Sequence, residues 1–145
     1  MIDLTQTRAA LAALPDARGV PELLAILGRC EQDLATAHAA IQVAGRATGD
    51  LWEFHAALVG LRPALEPIRD AWLAYGDEVD ALYWARRASP AATQLLLTLI
   101  RRYQHRLADL LWCLPYPSLV LDRQSHPRAQ LEDSAAAASR PAGSP

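Results

Sequence analysis

Apolar positions recur three and four residues apart through most of the first 114 residues, the spacing that gathers them on one face of an α-helix. Residues 4–14 form the first such stretch, with Asp3 placed to cap it, Gln6 three residues later and Pro15 closing it. Residues 16–20 read as a connector. Pro21 suits the first turn of a long second helix reaching about residue 44, with the stripe Leu23, Leu27, Cys30, Leu34, His38 and Ile41. Asp50 with Glu53 three positions on is a capping box and predicts a short helix to about residue 61. Pro63 and Pro67 then predict a break or a kink. Between 67 and 88 the stripe is Ile68, Trp72, Tyr75, Val79 and Leu82. Ser89-Pro90, a hydroxyl cap before a proline, starts the last helix. It runs to about residue 114 on Leu96, Leu99, Ile100, Tyr103, Leu107, Leu110 and Leu114, and Pro115 and Pro117 end it.

No alternating strand pattern and no solenoid-length repeat interrupts this reading. The expected fold is therefore all-α: a four- or five-helix bundle, mostly antiparallel, over residues 1–114. Residues 115–145 turn to proline, alanine and serine and read as a flexible tail carrying one short apolar patch, Ser118 to Leu121.

Composition adds limits more than clues. A chain of 145 residues is one domain's length, and 52% apolar with 21% charged residues is globular composition. A net charge of −2 gives no overall pull toward nucleic acid or an anionic membrane. All 14 basic residues are arginine, lysine and asparagine are absent, and alanine dominates, the signature of a GC-rich bacterial genome. Arginine clusters therefore say less about phosphate recognition than they ordinarily would. Cys30 and Cys113 lie far apart without a C-x-x-C pattern, as buried, reduced packing thiols would. The first residues lack a signal-peptide pattern, and the longest apolar run, 91–100, is too short to span a bilayer. The expected setting is cytoplasmic, with no membrane partner.

Candidate chemistry is sparse. There is no glycine-rich phosphate loop, no H-E-x-x-H, no C-x-x-C-H and no E-x-x-H pair of the kind that holds two metal ions in a bundle. No catalytic residue and no cofactor are expected. His38 and Glu31, two turns apart near one edge of the second helix, are the one pair placed to contribute to a metal site. Asp70, Asp77 and Asp80 project away from the Tyr75 stripe and read as a solvated face.

The tryptophans say more. Trp72 falls on its core stripe, whereas Trp84 falls on the side of Leu73, and Trp112 on the side of Arg101 and His105. Either these two are buried centrally in the bundle or they mark a surface that pairs with protein. The resulting expectation is a non-enzymatic bundle acting through protein–protein contact, as a homodimer or a small subunit or adaptor of an assembly. Its interface candidates are Trp84, Trp112, Leu73, Arg101 and His105. The alternative is nucleic-acid binding through Arg86, Arg87, Arg101, Arg102 and Arg106. A third reading is a metal-binding or hydrolytic bundle.

Overall fold

Caps and prolines decide where each helix begins. In the computed structural model, which describes residues 4–47 and 49–115, there are four helices and, among the described residues, no strand: α1 (Leu4–Ala12), α2 (Val20–Gly45), α3 (Leu51–Trp84) and α4 (Pro90–Cys113). The Asp50 side chain accepts from the amides of Trp52 and Glu53, and the Ser89 hydroxyl accepts from Ala92, so both predicted caps are formed. No helix among the described residues is long and apolar enough to cross a membrane.

The start of α2 is fixed differently. Gly19 occupies its N-cap in the left-handed region, φ 74°, without a side-chain cap. A Cβ there would lie 2.6 Å from the Arg87 carbonyl oxygen and 2.6 Å from the Ala88 Cβ. The Ser89 amide meanwhile donates to the Arg18 carbonyl at 3.1 Å. The α1–α2 connector and the α3–α4 turn are thus pressed together, and only glycine fits between them.

One expectation is overturned here. Residues 51–84 form a single continuous helix, with Pro63 and Pro67 inside it. Both prolines face solvent, so the carbonyls they leave without a helical partner are not stranded in the core. Meanwhile Leu61, Leu65, Ile68, Trp72, Tyr75 and Val79 stay buried at spacings of three and four straight through the proline pair. Burial of that unbroken stripe outweighs two missing backbone bonds.

Pairings across the helices give their directions. Arg29 meets Glu78 and Tyr75 donates to Asp33, so α2 and α3 run antiparallel. Gln104 donates to the Trp72 carbonyl and Arg62 reaches the Leu111 and Leu114 carbonyls, so α3 and α4 do too. Short α1 packs against α2 and α4, with Leu11 fully buried and Arg8 bonded to Glu31 at 2.7 Å. Trp72 and Tyr103 meet edge to face in the centre, ring centroids 5.1 Å apart.

Two smaller expectations also fail. The seam of α2 continues through Ala37 and Ala44, while His38 and Ile41 are exposed. Small side chains let the helices approach there, so alanine rather than the larger neighbour marks the contact. Cys113, expected to be buried, is exposed, because the stripe it follows closes on Leu107, Leu111 and Leu114. The expected tail beyond Pro115, including Ser118 to Leu121, and the proposed cap Asp3 lie outside the described residues.

Candidate protein-interaction face on the α3–α4 hairpin

Trp84 and Trp112 are exposed, at 78% and 87% of their full surface, and Leu73 is 53% exposed. The alternative that α1 or the first turns of α3 bury the two indoles inside the bundle therefore does not hold. These side chains lie on two stripes with the same spacing. On α3 the positions are Leu73, Asp77, Asp80 and Trp84; on α4 they are Arg101, His105, Ala108 and Trp112. Steps of four, three and four residues keep each set on one side of its helix.

The neighbours of each helix place its stripe. On α3, Glu78 faces α2 through Arg29, while Gly76 faces α4 through Gln104. At about 100° per residue, the Leu73–Trp84 stripe lies on the Gly76 side of Trp72, next to α4 and away from α2. On α4, Leu95, Leu99 and Arg102 share a cleft with Thr7 of α1, while Gln104 faces α3. The Arg101–Trp112 stripe lies on the outer side of α4 between Gln104 and the α1 cleft, whose lining includes Gln94 and Thr98 at the start of the same row. The outer face of the α3–α4 hairpin thus carries Asp77 and Asp80 on α3 and Arg101 and His105 on α4, each stripe ending in a tryptophan. Because the helices are antiparallel, the tryptophans stand at opposite ends of that face.

Among the described residues the side chains of Asp77, Asp80, Arg101 and His105 take part in no ion pair or hydrogen bond. Neighbouring charges do: Arg62 with Glu66, Arg69 with Asp70, Arg29 with Glu78 and Arg87 with Glu22. Arg86, Arg102, Arg106 and Asp109 are likewise without an ion pair among the described residues.

The end of α3 fixes how Trp84 is presented. The Arg87 amide donates to the Leu82 carbonyl and the Arg86 amide to the Tyr83 carbonyl, both at 2.9 Å, which is the Schellman closure. Its left-handed position is filled by Arg86, φ 57°, where glycine is the usual residue. Tyr83 and Trp84 contact edge to face, and with Arg18, Arg86, Ala88 and Pro90 they line a surface cleft of about 430 Å³. Arg18 is held there by Asp16 through bonds of 2.8 to 3.2 Å.

The other candidates do not converge. Arg101, Arg102 and Arg106 point to different sides of α4, since Arg102 is about 100° and Arg106 about 140° from Arg101. Arg86 and Arg87 lie at the turn that precedes α4, where Arg87 is held 3.8 Å from Glu22. His38 bonds to Gln42 at 3.0 Å and Glu31 is taken by Arg8, so the two do not face a common point. Among the described residues no group of three or more histidines, cysteines or acids comes together as metal ligands would. The two thiols differ: burial pushes Cys30 up to about 12, with the nearby Asp33 charge adding to it, whereas Cys113 faces solvent.

Sequence reasoning missed three things here. The Arg62 guanidinium is buried and bonded to the end of α4. Its position on the α4-facing side of α3 was a signal, hidden by the expected break at Pro63. Tyr83 and Arg18 were not anticipated in the cleft because they come from distant segments. A second group of exposed apolar side chains, Ile41, Val43, Leu51 and Phe54, flanks the α2–α3 turn and was likewise unforeseen.

Comparison of the chain with family models, with curated proteins and with solved structures gave no match.

Proposed function

We propose that this chain is a non-enzymatic assembly protein that binds other protein through the outer face of its α3–α4 hairpin. The observation that carries the reading is the pair of exposed indoles, Trp84 and Trp112, on a bundle that buries Trp72 and half-buries Trp52. Large apolar side chains left in water cost free energy that a partner can recover, about 2–3 kcal/mol for one fully buried indole. That corresponds to roughly two orders of magnitude in a dissociation constant. Tryptophan and arginine are also the residues most enriched at interface centres. Free thiols at Cys30 and Cys113 support a cytoplasmic setting for this activity.

The test is photo-crosslinking in the cells that make the chain, with a photoreactive amino acid in place of Trp112 or, as a control, of the exposed Gln32 on α2. A protein adduct formed at Trp112 and not at Gln32 is expected. Equal yields at both positions, or an adduct to nucleic acid, would contradict the reading.

A further inference from the structure

Resting on that protein-binding reading, we infer that the cleft at the Trp84 end of the face receives an acidic peptide segment of the partner. One carboxylate is held by Arg86 and Arg18, and an adjoining apolar side chain lies on Trp84.

Arg86 is the starting point. It fills the left-handed position that closes α3, φ 57°, where glycine would sit without strain. Composition does not account for the choice, since glycine codons are as rich in G and C as those of arginine. Nor does pairing, because the side chain has no ion pair among the described residues. The residue instead lines the cleft of about 430 Å³, with Arg18, Tyr83, Trp84, Ala88 and Pro90.

Two further donors belong to the same cleft. Ala88 is 3% exposed, and its backbone amide donates to no acceptor among the described residues. A buried amide in that position takes its acceptor from outside the chain. Asp16 engages Nε and Nη2 of Arg18, which leaves Nη1 unused. Donors of this kind, two of them charged, call for an anionic oxygen pair such as a carboxylate. Beside them the Tyr83 and Trp84 rings meet at 72°, centroids 5.2 Å apart, and form an apolar corner. A proline, leucine or aromatic ring fits against such a corner.

Exposure and charge decide the class of ligand. A small molecule is held by enclosure, with most of its surface covered. Trp84 is 78% exposed, so this open cleft suits one part of a longer chain. Asp16 is bonded to Arg18, and Glu22 lies 3.8 Å from Arg87, so Arg86 alone of these three arginines stands outside an ion pair among the described residues. Asp80 and Asp77 follow Trp84 back along its stripe. A run of phosphates along the face would meet those acids, whereas one or two carboxylates need only the cleft.

Peptide selection tests it. Phage displaying random dodecapeptides are selected on the full chain, and recovered peptides are measured by fluorescence polarisation on wild type, Arg86→Gly, Arg86→Lys and Trp84→Ala. Selection should enrich aspartate or glutamate next to a proline, leucine or aromatic residue. Arg86→Gly should bind such a peptide more weakly by about tenfold or more, as loss of a charge-assisted hydrogen bond implies. Its Tm should be unchanged or higher, because glycine suits the left-handed position. Arg86→Lys, which keeps the charge without the planar fork, should fall between the two. Trp84→Ala should also weaken binding, and so should added salt.

Recovery of no peptide, or of peptides without acids, would overturn the inference. So would acidic peptides that bind Arg86→Gly as tightly as wild type. Tighter, Arg86-dependent binding of a single-stranded oligonucleotide would overturn it in favour of nucleic acid. If one of these results holds while a photoreactive residue in place of Trp112 still gives a protein adduct, the cleft assignment falls alone. If that adduct is missing too, the interface reading falls with it.

Discussion

Replacing Arg62 with methionine removes the cation that closes the last turn of α4. The side chain is buried at 4% exposure. It donates to the Leu111 carbonyl, to the Leu114 carbonyl at 2.8 Å and to the Pro115 carbonyl at 3.3 Å, and it pairs with Glu66 at 3.2 Å. Methionine fills much of the same space without a donor. The Leu114 carbonyl is then left without its guanidinium partner, about 2 kcal/mol, while the Leu111 carbonyl still accepts from the Leu114 amide at 3.2 Å. Loss of a positive charge at a helix C-terminus adds about 1 kcal/mol. Half-buried Pro115 can take a water instead and adds little. The expected loss is about 3 kcal/mol, or about 10 °C in Tm for a domain of this size. Thermal unfolding followed by circular dichroism at 222 nm measures it, with Arg69→Met as the control. Arg69 pairs with Asp70 on the surface, so its loss should cost less than about 1 kcal/mol. Arg62→Lys, which keeps the charge but not the planar fork, should fall between the two. If Arg62→Met unfolded within 2–3 °C of Arg69→Met, the guanidinium would not be holding the end of α4, and the reasoning would fail.

Thr93 is buried with a hydroxyl that has no hydrogen-bond partner among the described residues, so Thr93→Val should stabilise the fold by about 1 kcal/mol; a lower Tm would show that the hydroxyl is satisfied after all. In native buffer a thiol reagent should modify Cys113 quickly and Cys30 only after unfolding, and rapid modification of both would contradict the burial of Cys30. Alkaline pH should destabilise the protein. Burial raises Cys30 from 9.0 to about 12, and burial with the Asp33 hydrogen bond raises Tyr75 from 10.0 to about 12. The folded chain therefore holds protons that the unfolded chain releases, and stability present below pH 9 declines between pH 9 and 12. Tyr75→Phe should flatten that decline, and an unchanged pH profile would remove Tyr75 from the account.

Periodicity carried most of the fold because the core follows it. The stripes of α3 and α4 are buried nearly as their spacing predicts, and Ser89 and Asp50 cap as their side chains allow. The misreadings share a cause, which is that local rules compete with packing. Two prolines argue for a break when judged by their missing amides, yet they fall on the solvent side of a continuous apolar stripe. Ala37 and Ala44 do not stand out in an alanine-rich chain, but their small size is what makes them the contact. Trp84 and Trp112 were legible as off-stripe residues, since angle alone places them half a turn from the core. Whether another element would cover them was not legible, because that depends on where α1 and the start of α3 end up.

The most direct measurement is sedimentation velocity on wild type and Trp112→Ser at matched concentrations, with circular dichroism on the same samples. As a homodimer interface, the α3–α4 face predicts that wild type sediments as an associated species and that Trp112→Ser sediments as a monomer with unchanged helicity and Tm. An indole that is 87% exposed has little to contribute to folding of the single chain. A wild-type monomer whose Trp112→Ser variant loses its helicity would contradict the account, for the side chain would then be part of the core.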